Sequence, residues 1–300
     1  MIRPIRRFAV AGLAALLSGC AAFNYTGVDS PVPAPSVSPL SPQPRVALVL
    51  GSGGPRGYAH IGVMKVLEEA GIEFDLVVGS SVGSLIGAFW AQGFTAAEIE
   101  SIALSGGPLT LFDISPFADR GWIRGQRLQD YVNERLGNAS LESMKRRLVI
   151  AATRRADKAP VFFQQGNIGV AVRASSAVPN IISPVGIDGV EYEDADESLP
   201  VAVRAARQAG ARFVIAIDVS AIPGTAPANT SPAWLARDAR RRSRIDPEVA
   251  VADLLIHPEL EYAASPRRSY FVKAQAVGEA TARKMLPEIK RRLKSAGLSS

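Results

Sequence analysis

Two apolar runs in this chain each end in a glycine-rich turn that opens a helix, and the two turns lie close together. Val46-Ala47-Leu48-Val49-Leu50 leads into Gly51-Ser52-Gly53-Gly54-Pro55-Arg56-Gly57, and Asp75-Leu76-Val77-Val78 leads into Gly79-Ser80-Ser81-Val82-Gly83. Unbroken apolar runs of this length read as strands covered on both faces, the habit of parallel sheets whose crossovers are helices. After the first turn Ile61, Met64 and Leu67 recur at helical spacing with Glu68 and Glu69 opposite, and Gly71 ends the helix. After the second turn an apolar helix runs through Ala91. Further strands are expected at 148–152, 161–164 and 213–219, and a last long helix over 278–294. This alternation predicts an α/β fold: a central, mostly parallel sheet flanked by helices, with a sharp turn after the second strand.

The second turn fits G-x-S-x-G with Ser81 in frame. A nucleophile on a strand-to-helix turn needs neighbours without side chains two residues either way, so that the backbone can bend and substrate can approach. Its hydroxyl would stand at a helix N-terminus, where the dipole favours developing negative charge. The first turn has no Gly-Lys-Ser or Gly-Lys-Thr, so it is not a P-loop. Its glycines can aim several backbone N–H groups at one point, as an oxyanion requires. Pro55 has no N–H, which leaves Gly53, Gly54, Arg56 and Gly57 as donors.

Residues 1–19 read as a signal peptide, with a basic start (Arg3, Arg6, Arg7) and an apolar stretch too short to span a bilayer. Leu17-Ser18-Gly19-Cys20 resembles the lipobox of bacterial lipoproteins, which implies cleavage before Cys20 and a diacylglycerol on its sulfur. Ala21 rather than aspartate after the cysteine implies the outer membrane, facing the periplasm. Residues 20–44 hold prolines 31, 33, 35, 39, 42 and 44, and are expected to form an extended spacer between the anchor and a folded domain over 45–300. Removal of residues 1–19 leaves 31 basic against 28 acidic side chains. So small an excess gives no support for nucleic-acid binding. Cys20 is the single cysteine, which excludes an intrachain disulfide and a cysteine metal site.

The stretch from Leu50 through Gly57 to Val63 is similar to the glycine-rich opening of bacterial patatin-like phospholipases, and the Ser81 turn stands at the family's distance after it. Gly121-Trp122-Ile123-Arg124-Gly125 and Val172-Arg173-Ala174-Ser175-Ser176-Ala177-Val178-Pro179 also resemble family segments. The resemblance covers roughly 45–219. It implies a Ser–Asp dyad, an oxyanion hole from the glycine loop, and metal-free, cofactor-free cleavage of phospholipid or lysophospholipid esters at a membrane. The family's Asp-Gly-Gly or Asp-Gly-Ala triplet is altered here. Asp194 takes its place best, followed by Ala195 and Asp196 and then Pro200-Val201. Asp196 and Asp188 (which keeps a following glycine) remain alternatives. Crowding by Glu191, Glu193, Asp196 and Glu197 would raise the pKa of a base held at low dielectric.

Two other readings compete. The altered triplet is compatible with an inactive lipoprotein that binds lipid or a protein partner. The order Ser81, Asp194 or Asp218, then His257 is that of an α/β-hydrolase triad, although that fold usually sets several strands before its elbow. His60 reads as packing the first helix and His257 as a turn residue. Two histidines without H-E-x-x-H give no metal site. The run Arg237, Arg240, Arg241, Arg242 and Arg244 reads as a solvated helix face.

Overall fold

The computed structural model describes residues 24–27, 30–106 and 110–298; the expected signal peptide and Cys20 lie outside them. Among the described residues ten strands run in chain order: β1 (Asn24–Tyr25), β2 (Pro33–Ala34), β3 (Val46–Leu50), β4 (Leu76–Ser80), β5 (Arg147–Arg154), β6 (Pro160–Phe163), β7 (Val185–Ile187), β8 (Val190–Glu193), β9 (Phe213–Ile217) and β10 (Leu254–Ile256). The helices are α1 (Tyr58–Glu69), α2 (Val82–Ala91), α3 (Ala96–Ser105), α4 (Gln126–Arg135), α5 (Ile168–Ser175), α6 (Val203–Gln208), α7 (Pro232–Val249) and α8 (Arg268–Ser295).

The strands form one sheet in the order β1-β7-β8-β5-β4-β3-β9-β10, with β6 against β5 and β2. Its centre, from β5 through β4, β3 and β9 to β10, is parallel. The hairpin partners β6, β7 and β8 supply the antiparallel edge. Every residue of β3, β4 and β9 is buried, and alternation along them serves two cores. Leu48, Leu50 and Ile215 pack with α1, α2 and α8 on one face. Ala47, Val49 and Ala216 pack with α6 and Ile245 of α7 on the other. This is the expected α/β architecture, with the Ser81 turn after the second strand of its central array. Among the described residues, no helix is long and apolar enough to cross a membrane.

Two boundaries differ from expectation. The last helix begins at Arg268, with Gly278 inside it. A Cβ on Gly278 would stand 2.1 Å from Ala59 O, and one on Gly62 would stand 2.0 Å from Gln275 O. These glycines let α8 and α1 cross backbone to backbone, so Gly278 marks a contact and not a helix end. The proline-rich stretch is also no free spacer over its described part. Asn24 and Tyr25 pair with Gly186 and Ile187, and Pro33 and Ala34 with Phe163 and Phe162. Val37 enters the core beside α6. Prolines suit such edge pairing because a missing N–H costs nothing where it faces away from the sheet.

Candidate active site

The turn after β4 is set by close contacts. Ser81 has φ 52 and ψ −123, a strained conformation costing about 1–3 kcal/mol that the surroundings must enforce. They do so through missing side chains. A Cβ on Gly79 would lie 2.5 Å from Ser84 Cα, and one on Gly83 would lie 2.1 Å from Leu50 O. Hydrogen bonds hold the bend: Ser81 N–H donates to Ser175 Oγ at 2.8 Å, and Ser84 donates to Ser81 O from its amide (2.8 Å) and its hydroxyl (2.6 Å). Ser80 faces away, its hydroxyl donating to Leu199 O at 2.9 Å.

Ser81 Oγ donates to Asp194 Oδ2 at 2.7 Å. Asp194 follows β8 and is 1% exposed. Its backbone is tied down by Asp194 N–H to Ala177 O (3.0 Å) and Thr153 Oγ1 to Asp194 O (2.8 Å). Its second carboxylate oxygen accepts from Asp196 N–H at 2.7 Å. Burial, with the charge of Asp196 beside it, pushes the Asp194 carboxyl up to about 7 against the two hydrogen bonds that favour its anion.

Asp196 sits in the opposite electrostatic setting. Burial would raise its pKa, but Arg241, the Ser52 hydroxyl and Arg237 more than offset that and hold it below the usual carboxylate range. Arg241 Nε lies 2.7 Å from Asp196 Oδ1, and its Nη2 donates to Ser52 O and Oγ at 3.0 Å. Ser52 Oγ in turn donates to Asp196. A paired, depressed carboxylate is a poor base; a buried, raised one in contact with a hydroxyl suits the task. Asp188 lies at the β7–β8 turn with φ 49.

The glycine loop divides by position. Arg56 N–H donates to Gly53 O at 3.2 Å, so that amide is committed to the short 3-10 turn Gly54–Gly57. The amides of Gly53 and Gly54 precede the first bond of the turn and have no partner within it. Gly57 is glycine for packing, since a Cβ there would fall 2.5 Å from the Val82 side chain. Gly53, Gly54, Ser81 and Asp194 line one cleft of about 1040 Å³, which Arg56 reaches and Gly57 does not. Ile222, Trp234 and Leu235 also line it.

The histidines stand apart from this group. His60 is buried in α1, with Nε2 2.8 Å from Gly51 O, and burial lowers its pKa to about 4. His257 Nε2 lies 3.2 Å from Ser220 O. Asp218 is bound by Ser220 N–H at 2.9 Å and Arg242 at 2.9 Å.

Sequence reasoning missed Ser52, Thr153, Ser175 and the inward arginines. The run at 237–244 is not a solvated face throughout, for the Arg241 side chain is only 15% exposed. Trp234, Arg237, Arg241, Ile245 and Glu248 follow helical spacing, and Ile245 is fully buried. That register carried the signal.

Residues 48–196 match the family model described as Patatin-like phospholipase, and through them this chain belongs to that family. An uncharacterized NTE family protein of Mycobacterium tuberculosis is 34% identical over 241 residues, covering 75% of this chain and 64% of the relative. A lysophospholipase of Coccidioides immitis is 30% identical over 187 residues, covering 61% of this chain but 12% of that protein. The chain thus spans less than two thirds of the relatives it matches. The crystal structure of VipD from Legionella pneumophila superposes with a TM-score of 0.55 at 12% identity, over 91% of this chain and 73% of that one. It shares the fold.

Proposed function

We propose that this chain is a membrane-anchored serine hydrolase of acyl esters, of the phospholipase A or lysophospholipase type. The observation that carries the reading is the 2.7 Å bond from Ser81 Oγ to a buried Asp194 carboxylate, in a cleft shared with Gly53 and Gly54. As Ser81 Oγ bonds to the ester carbonyl carbon, its proton passes to Asp194 Oδ2. The carbonyl oxygen becomes an oxyanion, and the Gly53 and Gly54 amides are the donors placed to receive it. Asp194 then protonates the departing alcohol, and the acyl group stays on Ser81. A water molecule, giving its proton to Asp194, attacks that acyl carbon; the bond to Ser81 Oγ breaks, Asp194 returns the proton to that oxygen, and the fatty acid leaves. Ser175 holds the Ser81 amide and therefore the angle of attack. Family membership and the lysophospholipase relative support a lipid ester as substrate. The reading of an anchor rests on the Leu17–Cys20 motif, which lies outside the described residues, and that of an outer-membrane location facing the periplasm on Ala21 after it.

Purified chain should hydrolyse lysophosphatidylcholine and take up a fluorophosphonate label that mass spectrometry maps to Ser81. Ser81→Ala should lose about 10⁴–10⁶ in kcat while remaining folded. A wild type that is neither labelled nor active on a broad ester panel returns the chain to the inactive-lipoprotein reading.

A further inference from the structure

The three most exposed large apolar side chains of the described residues lie on one loop, and a fourth exposed one is joined to it. Phe117 is 83% exposed, Trp122 71%, Ile114 66% and Ile181 49%, and the backbone joins them. Ser115 N–H donates to Trp122 O at 2.8 Å, Trp122 N–H donates to Ile181 O at 2.9 Å, and Ile114 bridges Ile123. The loop is built to hold them out. Asp113 accepts from the Gly125 and Gln126 amides at 2.7 and 3.1 Å, capping α4. The buried Arg173 donates to Arg124 O at 2.7 Å. Arg120, in the same loop, is paired to Asp119 and Glu191. Exposed aromatic and branched side chains gathered on a loop tied down in this way mark an interaction surface.

Two observations say what it meets. Ile181 N–H donates to Val178 O at 3.1 Å, and Val178 and Pro179 line the Ser81 cleft, so the turn that carries Ile181 also forms part of the cleft wall. The second is where the tether leaves the domain. The same Arg173 guanidinium that holds Arg124 O also donates to Tyr25 Oη at 2.8 Å, so β1 emerges beside this loop. Cys20 lies four residues before Asn24, a reach of at most about 14 Å. A free extended spacer over 20–44 would have allowed roughly 75 Å.

On the reading of the chain as a lipid-anchored ester hydrolase, we infer that Ile114, Phe117, Trp122 and Ile181 form a bilayer-docking surface. It seats in the acyl–headgroup boundary beside the anchor and turns the cleft mouth to the lipid. Tryptophan and phenylalanine are the side chains that favour this boundary.

The test uses the full chain on vesicles of phosphatidylcholine and phosphatidylglycerol whose acyl chains are brominated, which quench tryptophans that enter them. Wild type should be quenched; Trp122→Phe should remove most of the quenching and Trp234→Phe should not. Phe117→Ser with Trp122→Ser should lower turnover of vesicle phospholipid about tenfold or more. Turnover of a soluble short-chain ester should be unchanged, which also shows that the variant is folded. Quenching that persists in Trp122→Phe overturns the inference. So does an unquenched wild type that sediments as a dimer which the double variant dissociates, since the patch would then belong to a second copy. A wild type quenched at Trp122 but inactive on every ester leaves the docking surface standing and removes the hydrolase reading.

Discussion

The elbow at Ser81 and the segment carrying Asp194 meet in a single hydrogen bond, yet opposite constraints shape them. The elbow is held by backbone contact so close that Gly79 and Gly83 tolerate no added carbon. The aspartate segment lacks the glycines its family uses, and long-range partners hold it instead: Thr153, Ala177 and the Arg241–Asp196–Ser52 cluster. Local sterics leave a spelling that survives in any member of a fold. Hydrogen bonds and ion pairs can be supplied from anywhere in the chain, so they leave no fixed spelling.

The largest effect should follow from breaking the shared bond on the aspartate side. Asp194→Asn keeps the shape but cannot take the serine proton, so ester turnover should fall about 10⁴-fold. The same change should raise stability at high pH. The folded carboxyl titrates near 7 against an ordinary value of 3.8, so the native chain binds a proton that the unfolded one has released between those values. Stability therefore falls as pH rises through that window. Thermal midpoints should show Asp194→Asn gaining over wild type at pH 8 and matching it near pH 4. An equal change at both would remove the raised carboxyl from the account.

Gly83→Ala sharpens the steric half. With Leu50 O 2.1 Å from the new carbon, denaturation should show a loss of about 3 kcal/mol or more, accompanied by loss of activity. Arg241→Ala probes the electrostatic half. It strips the main partner from Asp196, whose side chain is 16% exposed and keeps Ser52 and Arg237, and should cost about 2–3 kcal/mol in the same measurement. The smallest effect is expected from Ala195→Gly, which restores a family glycine. If hydrogen bonds hold the segment, turnover should change less than about threefold, with a stability loss near 1 kcal/mol from added backbone freedom. A large gain in activity would mean that the altered triplet is a defect.

The same division explains what was legible in the chain. The unbroken apolar strands, the glycine loop and the Ser81 frame were readable because each is a local pattern with a steric cause. Asp194 was reached through family resemblance, and its neighbours left the choice open among Asp188, Asp194 and Asp196. Only packing separates them, by giving Asp196 an arginine and leaving Asp194 beside the hydroxyl. The arginines of α7 looked solvated because charge is normally outside, although their spacing with Ile245 pointed inward. The proline-rich stretch looked like a spacer because proline suits both a free extended chain and a sheet edge; pairing with β6 and β7 is a long-range fact.

The central claim is that Asp194, without a histidine, activates Ser81. The direct test is the rate of fluorophosphonate inactivation against pH, followed in wild type, Asp196→Asn and His257→Ala. Because the Asp194 carboxyl lies near 7 and the base must be ionised, the wild-type rate should climb through that pH. Neutralising Asp196 removes a charge that raises Asp194, so the limb should move to lower pH. His257→Ala should retain the wild-type rate and limb. A limb that disappears with His257 would contradict the dyad; one that stays in place when Asp196 is neutralised would remove Asp196 as a cause of the raised carboxyl.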